Sequence, residues 1–235
     1  MDIVPGRTAE APTKWLLDRP CAWRRAIRWV ALDLSGPYRA AFNKALPHAK
    51  QVTDQFHMVK LANKALDEVR RRVQIDTLGH RGRKDDPLYR ARKLLLSASE
   101  RITANGQVRL RGLLEAGDPH GEVRNAWHAK EKLRSIYDIT NPKVGAETVD
   151  QLAADLQEPW LPEEVNRLGR TLWRWRTEIS NWHKPRVTNA ATEAAITCSA
   201  SEGASGFTNF NNYRTRALLY ASKPNWTLLD TLTPP

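Results

Sequence analysis

The strongest candidate strand in this chain is the run Ile27-Arg28-Trp29-Val30-Ala31-Leu32-Asp33-Leu34. Apolar side chains, several of them branched or aromatic, fill most of it, which favours a strand buried on both faces. Ser35-Gly36-Pro37 follows, and a proline at this point predicts the first turn of a helix that continues to Leu46. Residues 51–53 predict a further short strand beyond that helix.

The sequence on the amino-terminal side of this strand shows the same alternation. Residues 2–6 predict the end of a strand and a turn, and residues 9–18 predict a helix that Thr8 could cap and Pro20 would stop. Through residue 57 the predicted order is therefore strand, helix, strand, helix, strand. Strands joined by helices are typical of a partly parallel sheet, so we predict the α/β class.

Beyond residue 57 the apolar pattern changes from strand-like to helical. Apolar side chains three and four positions apart, from Val59 to Val73, predict one face of a helix. The strongest helical pattern covers residues 163–183, where the apolar seam should pack on other helices. A further helix is predicted from Asp85-Asp86-Pro87 to Asn105-Gly106, and other helical windows cover residues 107–115, 121–137 and 147–156.

These changes of pattern divide the chain into three segments. Residues 1–57 mix strands and helices, residues 58–186 form an all-helical block, and residues 187–235 return to mixed character with a helix near residues 211–222. The glycine-rich phosphate loop, the dinucleotide fingerprint and the HExxH zinc motif are absent from the sequence. The commonest nucleotide-binding and zinc-protease functions are therefore excluded.

Composition narrows the function classes further. The chain has 235 residues, 41% of them hydrophobic, and its 37 Lys and Arg against 26 Asp and Glu give a net charge of +11. No apolar run approaches the roughly 20 residues that a membrane span requires, and the first residues do not resemble a secretion signal. Two cysteines cannot form a disulfide framework. We therefore expect a cytoplasmic protein that does not bind membranes and whose basic surface suits nucleic acid.

Three carboxylates and one histidine are candidates for chemistry. Asp33 ends the strongest strand, where ligands and metals gather in open α/β sheets, although the more ordinary interpretation from spacing alone is a carboxylate that serves the turn that follows. Asp54 and His57 form a D-x-x-H pair that suits a metal or an ordering contact, but the more ordinary interpretation is a helix cap with a histidine in the first turn. Glu193 follows a capped helix start, where an acid commonly favours the helix dipole.

Two basic regions are candidates for binding phosphate. Residues 70–93 hold nine Lys and Arg against three Asp, a pattern that fits either DNA contact or solvated helix faces. On the helix predicted at 163–183, Arg170, Trp173 and Arg174 project away from the apolar seam, where Trp173 could stack on a base or be covered by another helix. The predicted DNA contacts are Arg70, Arg71, Arg81, Arg83, Lys84, Arg170, Arg174, Arg214 and Arg216.

Several segments resemble one known family. Residues 52–63, VTDQFHMVKLAN, resemble the D-x-F-H-[VM]-[VI]-K-x-x-N signature of bacterial insertion-sequence transposases of the ISL three family. Residues 29–38, WVALDLSGPY, look like the strand that bears the second aspartate of that family, and residues 78–89, LGHRGRKDDPLY, are also similar. Further similarity lies in residues 180–183, 187–193 and 206–216, so the resemblance runs from end to end of the chain.

This resemblance implies a ribonuclease-H-like DDE catalytic core interrupted by a large all-helical insertion. Residues 1–57 would be the first, partial segment of that core, residues 58–186 the insertion and residues 187–235 the last part of the core. By resemblance Asp33 is the second acid and Glu193 the third, and both would bind metal, with Asp54 and His57 in a supporting motif.

The resemblance also implies a cofactor and a partner. Two Mg²⁺ ions would support phosphodiester cleavage and strand transfer on double-stranded DNA at the element ends. The protein would then lie at the bacterial nucleoid. Self-association into a homo-oligomer is compatible with this function.

Two departures from the family pattern bear on activity. The first residues match family sequence downstream of the first catalytic aspartate, so we expect this copy to be an inactive, truncated remnant. The 27 residues from Val187 to Tyr213 contain no Lys or Arg, although relatives have a basic helix after the glutamate. The alternatives are a non-catalytic, basic helical DNA-binding protein, or a chain whose incomplete sheet causes it to aggregate.

Overall fold

The computed structural model describes residues 8–186 and 209–222 of the chain. The chain divides into two compact units, Met1–Ala49 with Thr188–Pro235, and Lys50–Val187. The strand predicted at residues 2–6 and the segment 187–195 lie outside the described residues.

The first unit begins with short helices around one strand. Its described elements are α1 (Glu10–Leu17), α2 (Cys21–Ala26), β1 (Trp29–Leu32) and α3 (Gly36–Ala45). The predicted helix at 9–18, the strand within 27–34 and the helix after Ser35 are confirmed, whereas the sequence patterns missed α2. Thr8 does not cap α1, because the cap position is Ala9 and no side chain bonds there.

The core of this unit is small. Leu16, Ala45 and Leu46 are buried together, and aromatic and branched side chains that include Trp15, Val30 and Phe42 pack against them. Pro37 lies in the first turn of α3, where its missing N–H leaves no helical hydrogen bond unmade. The helix predicted near 211–222 is also confirmed, as α10 (Phe210–Ser222).

The second unit is almost wholly helical. Its elements are β2 (Lys50–Thr53), α4 (Gln55–Leu78), α5 (Pro87–Leu96), a 3-10 turn (Ser99–Arg101), α6 (Ala104–Gly117), α7 (Glu122–Ile136), α8 (Pro142–Asp155) and α9 (Glu163–Asn181). Residues 58–186 contain no strand, as the sequence predicts. With two short strands among many helices in the described residues, the structure is consistent with the α/β class.

Helix α4 packs against α7 and α9 through its apolar face. Ala62, Leu66, Val69 and Val73 are buried along this face, which confirms the helical stripe predicted from their spacing. The helix ends where Gly79 takes a left-handed conformation with φ of 70°. Glycine adopts this conformation without a steric penalty, so it closes the last turn and releases the chain into a loop.

Helix α9 carries the apolar seam predicted at 163–183. Leu168, Leu172, Ile179 and Trp182 are buried, and α9 packs on α8, α4 and β2. The approach of α9 to the end of α8 depends on Gly169, because a Cβ there would lie 2.9 Å from the Leu156 backbone. A small residue at this point lets the chain segments meet at van der Waals distance.

The prediction of one helix from Asp85 to Gly106 is wrong. Helix α5 ends at Leu96, and the Lys130 ammonium donates hydrogen bonds of 2.7 Å to the carbonyl oxygens of Leu95 and Ser97. Thr103 then begins α6 by accepting a hydrogen bond from the Gly106 N–H at 3.2 Å. The sequence pattern could not show that a lysine distant in sequence binds the last carbonyls of α5.

Among the residues that the structure describes, no helix combines the length and apolarity needed to cross a membrane.

Candidate functional site

Asp33 is placed by the strand β1. It is the residue immediately after Leu32, the last and most buried residue of that strand, and it is exposed. Leu34 follows with φ of 44°, a conformation that residues with a Cβ adopt infrequently. The backbone therefore turns sharply after Asp33 and leads directly into α3.

Asp54 is placed by β2 and the start of α4. It is 2% exposed, and its carboxylate accepts a hydrogen bond of 2.7 Å from the Phe56 N–H. The ordinary interpretation of the D-x-x-H pair is thus confirmed, since Asp54 caps α4 and His57 lies in its first turn. The Phe56 ring meets His57 edge-on, with 5.9 Å between ring centroids.

The interior beside Asp54 is aromatic. Tyr137, at the end of α7, has its pKa raised by burial and by the negative charge of Asp54. Trp182, just after α9, contacts Tyr137 edge-to-face with 5.0 Å between centroids. Asp54 is therefore a buried carboxylate whose charge acts on a buried tyrosine at the end of α7.

The carboxyl end of α9 is tied to this same region. Asn181 donates a hydrogen bond of 3.0 Å to the Gln51 carbonyl in β2. His183 contacts the Ile139 carbonyl through Nδ1 at 3.2 Å, and burial is the main reason that its pKa lies below the ordinary value. These contacts hold β2, the loop before α8 and the end of α9 in one arrangement.

The arginines of α4 contact carboxylates within the unit. Arg70 is 6% exposed, and its guanidinium donates to Asp67 and Gln74. Arg71 pairs with Asp67 at 2.6 Å but keeps 57% of its side chain exposed. Arg72 bonds Glu122 of α7 and Glu164 of α9, and these hydrogen bonds raise its pKa. Arg70 is thus not available to DNA, although the sequence pattern suggested that it was.

The loop between α4 and α5 presents three exposed cations, Arg81, Arg83 and Lys84. Asp86 accepts a hydrogen bond from the Arg83 N–H and lies 3.6 Å from His80. Gly82, with φ of 105°, packs on the amide of Gln74, so a side chain there would strain the backbone and displace that amide. The basic loop is therefore held to α4 by specific contacts rather than by its charges.

The exposed face of α9 carries the aromatic and basic residues predicted there. Trp173 is 47% exposed, so the expectation that another helix covers it is wrong. The Arg176 guanidinium lies 4.1 Å from the Trp173 ring centroid, a cation–π contact. Arg174 is exposed, and Arg170 is exposed but paired with Glu163.

An open groove of about 640 Å³ lies between α8 and α9. We call it the α8–α9 groove, and its charged and hydroxyl lining consists of Lys143, Asp150, Arg176, Thr177, Ser180 and Lys184. The side chain of Asn181, which bonds β2, also lines it. The groove therefore opens next to the strand that leads to Asp54.

Other predicted site residues lie in the last part of the chain. Glu193 lies outside the described residues. Arg214 is half-buried in α10, and the side chain of Arg216 lies outside the described part of that helix.

Comparison with known proteins identifies the family. A model of the DDE-type ISL3 family, described as "Transposase", matches residues 1–217. The chain belongs to this transposase family. The transposase for insertion sequence element IS1001 from Bordetella parapertussis is 31% identical over 145 residues, which are 60% of this chain and 34% of that relative. The chain thus spans about a third of the length of this relative. No solved structure matches it.

Across residues 8–186 and 209–222, no three His, Cys, Asp or Glu side chains converge as metal ligands would. The described residues therefore do not make a metal centre by themselves, and Asp33 is the predicted ligand among them.

Sequence reasoning missed three cations of this transposase, Lys143, Arg176 and Lys184. Lys143 and Lys184 are 41 positions apart, and the three cations form no charge run. Only the packing of α8 on α9 brings them to one groove. One usable signal was present, because Trp173 and Arg176 are three apart on a predicted helix and so share a face.

Proposed function

We propose that this chain is the catalytic portion of an insertion-sequence transposase that cleaves and joins DNA by the DDE reaction on a ribonuclease-H-like core. The family match over residues 1–217 is the observation that carries the proposal. Asp33 would be the second acid and Glu193 the third. The position of Asp33, exposed directly after β1 and ahead of α3, supports its role, because such strand ends commonly hold catalytic groups.

The segment boundaries are part of this proposal. Residues 1–57 and 187–235 would form the core, and residues 58–186 would be an insertion that separates Asp33 from Glu193. The absence of any strand in residues 58–186 supports the division. Asp54 and His57 would support the core from the edge of the insertion.

Magnesium is the metal that we propose, because hard carboxylate oxygens suit it and Asp33 and Glu193 would supply them. When bound, two such ions would supply activation of the attacking oxygen and stabilisation of the leaving oxygen of a phosphodiester.

Double-stranded DNA at the ends of an insertion sequence is the proposed substrate. The exposed cations Arg71, Arg81, Arg83, Lys84, Arg170 and Arg174 would contact its phosphates, which places the protein at the nucleoid. Arg70 is left out of this set because its guanidinium is buried against Asp67 and Gln74.

We further propose that cleavage by this copy is impaired. The 27 residues from Val187 to Tyr213 contain no Lys or Arg, whereas about four would be expected at the average for the chain. Cations around a DDE centre hold the DNA strand that is cut, so their loss next to Glu193 would weaken its placement.

The proposal is tested with the purified chain, a labelled duplex carrying the element ends, and Mg²⁺ or Mn²⁺. We expect salt-dependent DNA binding with little nicking, and Asp33→Asn should remove whatever nicking remains. Robust nicking that is lost in Asp33→Asn and in Glu193→Gln would contradict impaired activity but support the DDE assignment. Nicking that survives both changes would contradict the DDE assignment itself.

A non-catalytic DNA-binding protein is the competing function, favoured by the net charge of +11. It predicts DNA affinity that is unchanged by Asp33→Asn and by chelation of metal. A measured affinity that rises on adding Mg²⁺ in the wild-type chain, and does not rise in Asp33→Asn, would exclude it.

A further inference from the structure

The α8–α9 groove is an open, basic concave surface. Lys143 lies on α8, Arg176 on α9 and Lys184 beyond the end of α9, against the single carboxylate of Asp150. Lys143 is 87% exposed in its side chain and reaches Glu147 only at 4.0 Å, so this contact holds it weakly. The lining thus carries more positive than negative charge on an accessible surface.

Hydroxyl and amide groups lie between these cations. Thr177 and Ser180 line the α9 side of the groove, one helical turn from each other. Such groups donate hydrogen bonds to phosphate oxygens without adding charge. From Trp173 to Asn181, the last residue of α9, the exposed side of the helix extends about 12 Å, at about 1.5 Å of rise per residue, and Lys184 lies beyond it. This length spans several successive phosphates of one strand.

Arg176 is held in place before any ligand arrives. Its Nη1 donates a hydrogen bond of 2.8 Å to the Trp173 carbonyl, and its guanidinium lies over the Trp173 ring. Asp150 is 3.8 Å away, at the edge of ion-pair distance. An arginine whose side chain is already ordered loses less conformational entropy when it binds a phosphate.

Close contacts hold the two walls of the groove together. Gly145 of α8 lies against the His183 ring, and a Cβ at Gly145 would come within 2.6 Å of that ring. His183 and Arg186 both contact the Ile139 carbonyl at 3.2 Å, just before α8. These contacts set the separation of the two basic walls, as a site that recognises a backbone of fixed shape requires.

The amino terminus of α8 is not itself the binding element. Asn141 accepts hydrogen bonds from the N–H groups of Lys143 and Val144, so those donors are already used. Phosphate binding in this groove would therefore depend on side chains, and above all on Lys143, Arg176 and Lys184.

We propose that the α8–α9 groove binds the phosphate backbone of one strand of duplex DNA, beside the Asp54 motif. The inference rests on the proposed function for its choice of duplex DNA as the polyanion, and it adds a binding surface that the predicted contacts did not include. Asn181 lines the groove and bonds β2, so DNA in the groove would pass next to the segment that leads to Asp54.

The test compares two double variants of the full chain that remove the same charge. Lys143→Gln with Lys184→Gln alters the groove, and Lys64→Gln with Lys132→Gln alters exposed lysines on α4 and α7. Binding of a labelled duplex is measured by fluorescence anisotropy across a salt series. The groove variant should lower affinity by about tenfold or more and reduce the slope of log K against log salt by about 2, because each lost phosphate contact removes about 0.9.

The control variant should keep the wild-type slope. Equal losses in both variants would show that only total charge matters and would overturn the proposal. A groove variant with wild-type affinity and slope would also overturn it, while leaving the proposed function standing. If the wild-type chain binds no duplex at all, the proposed function fails together with the groove assignment.

Competition identifies the ligand class. Unlabelled duplex DNA should displace the probe from the wild-type chain, and the groove variant should need correspondingly more competitor, because its affinity for probe and competitor is lowered alike. Duplex RNA of the same length, or vesicles containing anionic lipid, should compete less well than DNA. If either competes better in a groove-dependent way, the assignment to DNA is overturned.

Discussion

The arginines of α4 and the cations of the α8–α9 groove have the same formal charge but opposite surroundings. Arg70 and Arg72 are bonded to carboxylates of the same unit, and Arg72 joins α4 to α7 and α9. Lys143 and Lys184 in the groove are exposed side chains that line an open surface. The arginines of α4 form ion pairs that hold helices together, whereas the groove cations remain exposed on the surface.

This difference shows why a charge run is a poor guide to a binding surface. The sequence from Arg70 to Arg72 is the densest group of arginines in the chain, yet its partners are Asp67, Glu122 and Glu164. Burial makes such pairs important for stability when one partner is removed, although it does not make them useful for binding. The groove cations are scattered in sequence and are brought together by helix packing.

The largest expected effect is on the buried arginine. Arg70→Ala should lower the free energy of unfolding by about 2–4 kcal/mol, because Asp67 loses its buried partner and the amide of the buried Gln74 loses its donor. Urea unfolding measures the change. Arg71→Ala is the matched control, since Arg71 pairs with the same Asp67 but is exposed, and should cost less than about 1 kcal/mol. Equal costs would contradict the structural role assigned to Arg70.

A second effect tests the helix packing that builds the groove. Gly169→Ala should destabilise the protein by about 1–3 kcal/mol, because the added Cβ would meet the Leu156 backbone, which cannot move aside easily. Gly112→Ala in α6 should instead stabilise it by up to about 1 kcal/mol, since nothing lies within 4 Å of that position and alanine is the better helix former. Thermal unfolding of both variants checks the opposite signs.

A third prediction concerns the pH dependence of stability and the buried residue His183, which contacts the Ile139 carbonyl. Burial, aided by the charge of Arg186, holds the pKa of His183 below its ordinary value of 6.5. The unfolded chain therefore binds a proton more readily, so the stability contributed by neutral His183 is present above pH 6.5 and is lost as pH falls through its lower folded-state pKa.

The measurement is the urea midpoint at several pH values on either side of neutrality. His183→Gln should have a shallower loss of stability on acidification than wild type, whereas His120→Gln, which changes an exposed residue, should not. Part of the slope should remain, because burial also lowers the pKa of His128. An unchanged slope in His183→Gln would rule out His183 as a source.

The smallest expected effect on stability is that of removing a groove lysine. Lys184→Gln should change the free energy of unfolding by less than about 0.5 kcal/mol, because the side chain is exposed. It should nevertheless weaken duplex binding. The two measurements together distinguish a cation that binds DNA from a cation that stabilises the fold. A large loss of stability would instead place Lys184 with the arginines of α4.

Local patterns in the sequence predicted most elements and part of the site. The apolar seam of α9, the strands around Trp29 and Val52, and the Asp54 cap follow from spacing and capping rules that act over a few residues. The break between α5 and α6 and the burial of Arg70 were missed. Both depend on partners brought close by folding, Lys130 for the first and the packing around α4 for the second.

The candidate site shows the same limit. Asp33 and Asp54 could be placed at strand ends from sequence, because each follows a short strand that the sequence predicts. The sequence could not predict the exposure of Trp173 or the convergence of Lys143 with Lys184. Both depend on which faces of α8 and α9 meet. Family resemblance supplied the roles of the carboxylates, which spacing alone leaves open.

Helix α4 also sets a length scale. It has 24 residues, begins next to Asp54 and ends at Gly79, where the basic loop with Arg81 and Arg83 starts. At about 1.5 Å per residue the helix is about 36 Å long, close to one full turn of B-form DNA at roughly 34–36 Å. A duplex parallel to this helix would present the same face of its backbone at both ends. The span of the helix is therefore close to the helical repeat of DNA, and the Asp54 cap and the basic loop lie about one duplex turn apart.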